Sequence, residues 1–152
     1  MILKKIKLHP FAGATDKELS FHAGLNLICG PNEAGKSTLV RALFFVLFEP
    51  TNLTPAKEQA KLKDYLPVKG GDSIAIDLEF ESGGISYSLK KKWGGARSSE
   101  LVSANGKITD PVEVQRKVNE LLHNNEATWR NVLFANQGVL SQTIEMIKER
   151  ML

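Results

Sequence analysis

The sequence predicts a mixed α/β fold, and three observations carry that prediction. A glycine-rich loop, Gly30-Pro31-Asn32-Glu33-Ala34-Gly35-Lys36-Ser37-Thr38, joins a short apolar run, Leu25-Asn26-Leu27-Ile28-Cys29, to a longer one reaching Phe48. Alternating apolar and polar residues over Ser73–Phe80 and Ile85–Trp93, split by Gly83-Gly84, read as an antiparallel hairpin. Asp110-Pro111 offers an N-cap followed by proline in the first turn, with Val114, Val118, Leu121 and Leu122 at helical spacing behind it.

Taken in order, Ile2 to Leu8 reads as a half-buried strand, with Ile2, Lys4, Ile6 and Leu8 on one face. A turn region with Pro10 and Gly13 leads to Glu18–Phe21, a second strand paired to the first. Leu25–Cys29 reads as a short buried strand feeding the glycine loop, which places Cys29 inside. Ser37 to Phe48 leaves the loop as a helix buried on both sides. Glu49 to Asp72, with Pro50, Pro55, Pro67, Gly70 and Gly71, reads as a long polar connection. Beyond the hairpin, Leu101–Ser103, Asn105-Gly106 and Lys107-Ile108 suggest a further hairpin. The helix from Asp110 runs to about His123, and Glu126–Phe134 is a second helical piece. Ala135-Asn136-Gln137-Gly138 breaks it, and Leu140–Leu152 is helical with no stop signal.

The glycine loop fits G-x-x-x-x-G-K-[ST] at every fixed position, and strand, loop, helix is the context that gives the pattern meaning. Successive backbone N–H groups bind phosphate oxygens, and the following helix adds partial positive charge at its N-terminus. Gly30 and Gly35 suit positions where a side chain clashes or φ is positive. Lys36 is expected to neutralise the β and γ phosphates, Ser37 to offer its hydroxyl to Mg²⁺, and Thr38 to add a phosphate contact. Glu33 is expected to face solvent, with only its backbone toward the nucleotide, because an inward carboxylate repels phosphate.

The chain has 152 residues, 42% hydrophobic and 24% charged, with a formal net charge of +3 and one cysteine. That is enough for one domain with a real core, and too little cysteine for an internal disulfide. No apolar run is long enough to span a bilayer, since the run to Phe48 is short and holds Arg41. The N-terminus is too brief for a signal peptide, so a cytoplasmic protein is the simplest reading. Nucleotide hydrolysis also needs an acidic strand end to organise Mg²⁺. Asp77 and Glu79 sit mid-strand on the polar face and read as solvated, so the chain looks like half of an active site.

This combination resembles the N-terminal half of an ATP-binding-cassette head from the SMC-like repair ATPases, a family that includes SbcC-type proteins and bacterial YhaN-like coiled-coil ATPases. The likeness runs from the first strand pair, through the glycine loop and the hairpin, to Phe134-Ala135-Asn136-Gln137-Gly138, which resembles the family's Q-loop. It implies a phosphate-loop NTPase lobe over residues 1–139, with an antiparallel β subdomain, and the root of a coiled-coil helix over residues 140–152. It implies that Asn32, Glu33, Ala34, Gly35, Lys36, Ser37 and Thr38 bind the phosphates of ATP. Ser37 and Gln137 complete the Mg²⁺ shell, and Gln137 senses the γ-phosphate; Lys36 and Gln137 are the catalytic candidates. Lys63 and Asp64 match the place where the family contacts nucleoside or ribose. The signature motif and the Walker B carboxylates lie in the returning C-terminal half of such a head.

The implied partners are that C-terminal half, a second head in an ATP-sandwiched dimer, double-stranded DNA and a nuclease subunit, with no membrane. The implied location is the cytoplasm, at the nucleoid if the source is bacterial. Two positions depart from the family pattern. The basic residue that repair members often carry soon after the first strand falls at Ala12 or nearby. Glu33 stands where glycine is commoner, which points to the YhaN-like branch.

Lys90-Lys91-Lys92, Arg97 and the Lys57, Lys61, Lys63 group are candidate contacts to duplex phosphates, or else a solvated strand edge. Trp93 and Trp129 read as packing residues. A transporter-type cassette subunit and a non-hydrolysing nucleotide switch are the alternatives. Against the first stands the helix after the Q-loop, where a transporter cassette carries its signature motif.

Overall fold

A computed structural model describes residues 1–31, 35–67, 70–123 and 126–129. The chain divides into two compact units, Met1–Leu121 and Leu122–Leu152. In the first unit the elements run β1 (Ile2–Leu8), β2 (Lys17–Ser20), α1 (Lys36–Phe48), α2 (Pro55–Leu62), β3 (Ser73–Ser82), β4 (Ile85–Gly94), β5 (Ser98–Ser103), β6 (Gly106–Ile108) and α3 (Pro111–Leu122), whose last residue reaches the second. The second unit's described residues include a short helix, α4 (Glu126–Thr128).

The six strands form one antiparallel sheet in the order β2-β1-β3-β4-β5-β6. Alternation decides its faces. Ile6 and Leu8 of β1, Ile74, Ile76, Leu78 and Phe80 of β3, and Leu89 and Trp93 of β4 are buried on one side. Helix α1 covers that side with Ala42, Phe45, Val46 and Leu47, and the Phe45 and Trp93 rings meet edge-on at 4.9 Å. The β3–β4 turn falls on Gly83-Gly84, where both φ angles are positive (58° and 77°), as a two-residue hairpin of this hand requires.

Helix α3 starts as its sequence dictates. Asp110 Oδ1 accepts the backbone N–H groups of Val112 (3.1 Å) and Glu113 (2.9 Å). Val114 and Val118 are fully buried, whereas Leu121 is half-buried. Asp110→Ala is expected to lower stability by about 1 kcal/mol, read as a shift in the urea midpoint.

Three expectations are corrected. Residues 25–29 are not a strand, and Leu25 (96% exposed), Leu27 (82%), Ile28 (40%) and Cys29 are not buried. The Asn26 side chain closes a local turn instead, accepting from His22 N–H and donating to the carbonyls of His22 and Gly24. Among the described residues no neighbouring strand pairs with this segment. The connection from Glu49 to Asp72 is not featureless, because it holds α2. Thr54 before Pro55 was the signal: an N-cap residue type with proline at the first helical position. Finally, Lys91 is not a surface lysine but is 2% exposed, since alternation puts it on the same face as Leu89 and Trp93.

Candidate functional site

The site is built where α1 begins. Gly35 is the N-cap residue with φ 83°, a conformation only glycine adopts freely, so the loop turns directly into the helix. Among the described residues no side chain caps α1, and its first turn carries no acidic residue. The first intrahelical bond runs from Leu39 N–H to Gly35 O at 3.0 Å, which leaves the preceding N–H groups of the helix end for other acceptors. An uncapped helix start of this kind favours an anion.

The Lys36 ammonium folds back over the loop, donating to Gly30 O (2.6 Å) and Pro31 O (2.7 Å). Two carbonyl oxygens thus occupy a cation suited to phosphate oxygens. Ser37 is exposed and Thr38 half-buried on the first turn. A concavity of about 340 Å³ opens here, lined by Gly30, Pro31, Gly35 and Lys36 together with Lys17, Leu19, Ile28, Cys29 and Leu39. Of the expected phosphate-site residues, Gly35 and Lys36 line this concavity, and Ser37 and Thr38 follow on the first turn of α1. Asn32, Glu33, Ala34 and Gln137 lie outside the described residues, as do residues 140–152.

Lys63 and Asp64 are exposed in the turn that ends α2. That turn is held to the β1–β2 loop. Ala12 N–H donates to Tyr65 O at 2.7 Å, and the Tyr65 ring stacks on Phe11 at 4.8 Å. The stretch around Ala12, where the family's basic residue would fall, and Lys63-Asp64, which the resemblance links to the nucleoside, are neighbours. In the same loop His9 Nδ1 lies 3.3 Å from Asp16 Oδ1, and its Nε2 lies 3.4 Å from Asp77 Oδ2.

Of the seven basic residues offered as duplex contacts, Lys61, Lys91 and Arg97 are engaged elsewhere. Lys91 is buried. Lys61 pairs with Glu49, and Arg97 pairs with Glu58 at 2.7 Å and donates to Leu53 O. Lys90 faces outward, but in a row of alternating charge across the sheet: Glu18, Lys7, Asp77, Lys90 and Glu100 stand opposite one another in register. Lys5–Glu18 (2.9 Å) and Lys4–Glu81 (3.2 Å) extend the balance. This open face is charge-compensated rather than basic. Among the described residues, no helix is long and apolar enough to cross a membrane.

A family model described as an AAA domain matches residues 5–151. The chain belongs to that AAA-domain family. Its relatives include the DNA double-strand break repair Rad50 ATPases of Methanococcus maripaludis (29% identical over 96% of this chain), Methanocaldococcus jannaschii (28% over 96%) and Nanoarchaeum equitans (33% over 74%). The chain spans only about a seventh of those proteins, 14%, 14% and 13% of their lengths. A solved structure reported under ATP-driven dimerization and DNA stimulated activation of SMC ATPases superposes with a TM-score of 0.66. It covers 100% of this chain and 97% of that one at 17% identity. The AAA-domain chain therefore has the mixed α/β fold of an SMC ATPase head, a phosphate-loop NTPase fold, and the resemblance to SMC-like repair ATPases holds.

One functional candidate escaped the sequence reading. Lys17 lines the same concavity as Lys36, and no motif marks it. The only hint was its spacing of two from Leu19 on a short strand.

Proposed function

We propose that this chain is the ATP-binding half of an ATPase head in a DNA-repair or chromosome-associated SMC-like protein. The observation that carries the reading is the uncapped start of α1 at Gly35, with the Lys36 ammonium resting on two loop carbonyls. Bound Mg-ATP supplies a phosphoanhydride to be split by water. The backbone of residues 32–38 holds its phosphates, Lys36 exchanges Gly30 and Pro31 oxygens for phosphate oxygens, and Ser37 and Gln137 hold Mg²⁺. Lys63 and Asp64 face the nucleoside. The family match over residues 5–151 supports this assignment.

The missing carboxylates come from the C-terminal half of the same head. The exposed apolar segment Leu25, Leu27 and Ile28 supports that partner, since a strand with both faces apolar suits the interior of a parallel sheet. A second head closes on the bound ATP. Residues 140–152 lead into a coiled coil, and DNA and a nuclease subunit are the further partners.

Lys36→Ala is expected to weaken Mg-ATP binding about 10- to 100-fold, the loss of a charged donor to phosphate. Calorimetric titration of the purified protein checks it. Equal affinity in the wild type and the variant would falsify the phosphate-loop assignment.

A further inference from the structure

We propose that Lys17 supplies a second cation to the phosphates of the bound nucleotide, reaching them from the edge strand β2. The inference rests on the phosphate-loop reading and adds a residue that the loop motif does not contain. Three observations carry it.

The first is proximity. A methyl group placed on Gly35 would lie 3.4 Å from Lys17 Nζ, so this ammonium sits against the residue that starts α1. The second is direction. Lys17 stands opposite Leu8 and Leu19 opposite Ile6 in the antiparallel register, and opposite residues share a face. Leu8 and Ile6 are each 1% exposed, so Lys17 rises on the side covered by α1. Its neighbour Glu18 takes the other face and pairs with Lys5 at 2.9 Å. The third is the wall it runs along. Leu19, Ile28 and Leu39 line the concavity with it, giving its methylene stem an apolar bed and its ammonium a polar end beside Gly35.

An edge-strand lysine often serves only to discourage pairing between sheets. That role can be filled from either face, and Lys17 takes the helix-covered one, beside Gly35. Here Lys36 and Lys17 approach one concavity from different elements, one from the loop and one from the sheet edge. Two cations at an uncapped helix end suit a ligand with several adjacent negative charges, and a polyphosphate chain has them. Lys17 binds the phosphates directly and acts through charge, so arginine substitutes for it and glutamine does not.

The test is calorimetric titration of the purified protein with Mg-ATP and, separately, with inorganic tripolyphosphate, in the wild type, Lys17→Gln, Lys17→Arg and Lys36→Ala. Lys17→Gln is expected to weaken both ligands about 5- to 10-fold, the scale of one charged contact open to solvent. Its deficit shrinks as salt rises, because screening removes what the charge contributes. Lys17→Arg stays within about 2-fold of the wild type. Unchanged affinity for both ligands in Lys17→Gln, with loss in Lys36→Ala, overturns the role of Lys17 alone. Unchanged affinity in both variants overturns the phosphate-loop reading as well. A measurement on the unaltered protein removes any dependence on folding of the variants. Amine-reactive labelling of Lys17 is expected to fall when tripolyphosphate is present, and labelling that does not change sinks the proposal.

Discussion

Gly94→Ala is expected to destabilise the protein by about 4 kcal/mol or more, because a methyl group there meets backbone at closer range than at the other glycines whose surroundings are described. Gly94 ends β4 with φ 77°, and a Cβ there would stand 1.8 Å from Asp72 O and 2.9 Å from Ser73 Cα. Both obstacles are backbone, so no rotamer change relieves them. The left-handed conformation alone costs a non-glycine residue about 1–2 kcal/mol. Separating the start of β3 from the end of β4 costs the rest. It also pulls Gly94 N–H from Glu58 Oε1 (3.0 Å), where a carboxylate only 7% exposed ties α2 to the sheet. Urea unfolding measures the effect. A loss below about 1 kcal/mol would show that the two strands part here without cost.

The second large effect depends on pH and comes from Lys91. Its Nζ donates to Glu49 O (3.0 Å) and Gln115 Oε1 (2.6 Å), and it lies 6.0 Å from the centre of the Trp93 ring. Burial lowers its pKa from 10.5 to about 7, against the pull of the Glu49 carboxylate, which is itself paired with Lys61. In the unfolded chain the same amine keeps its proton to its ordinary pKa of about 10.4. Between these two values the unfolded state binds one more proton than the folded state. Stability therefore rises with pH from about 7 toward 10, with a slope approaching 1.4 kcal/mol per pH unit. Below about 7 the amine is charged in both states, and the full cost of burying that charge remains.

Lys91→Met removes the titration and keeps the volume, so this rise with pH should vanish. Urea midpoints at pH 6, 8 and 10 compare the two proteins. Parallel curves would mean that Lys91 does not titrate between folded and unfolded states in this window. Lys91→Ala is expected to cost about 3 kcal/mol at pH 8, from the cavity and from two acceptors left without their donor. Gln115 Nε2 donates to Leu47 O (2.9 Å) and Trp93 Nε1 to Pro50 O (3.0 Å), so three side chains hold the carbonyls at the far end of α1. The phosphate loop lies at the other end of that helix.

Much of this was legible in the residues. Gly83-Gly84 announced the β3–β4 hairpin, because only glycine takes two successive positive φ angles freely. Alternation from Ile74 to Phe80 marked the buried face, and Asp110-Pro111 marked the start of α3. Gly35 and Lys36 announced the phosphate loop, because a motif of fixed spacing encodes its own local geometry. Lys91 was misread by composition: three lysines in a row look like a charged surface, although the alternation around them already put the middle one inside. Thr54-Pro55 was missed because a polar helix of eight residues shows little periodicity.

Local chemistry, then, was set by the sequence alone: which turns need glycine, which face of β3 and β4 is apolar, and where helix α1 begins. Tertiary structure decided what those local rules cannot reach. A strand exists only where another strand pairs with it, so Leu25–Cys29 carries a strand pattern without forming one here. A lysine becomes buried, or arrives at a phosphate loop, only through contacts made across the fold. Lys91 meets Gln115 and Lys17 meets Gly35 across stretches of chain in which no short-range signal links them.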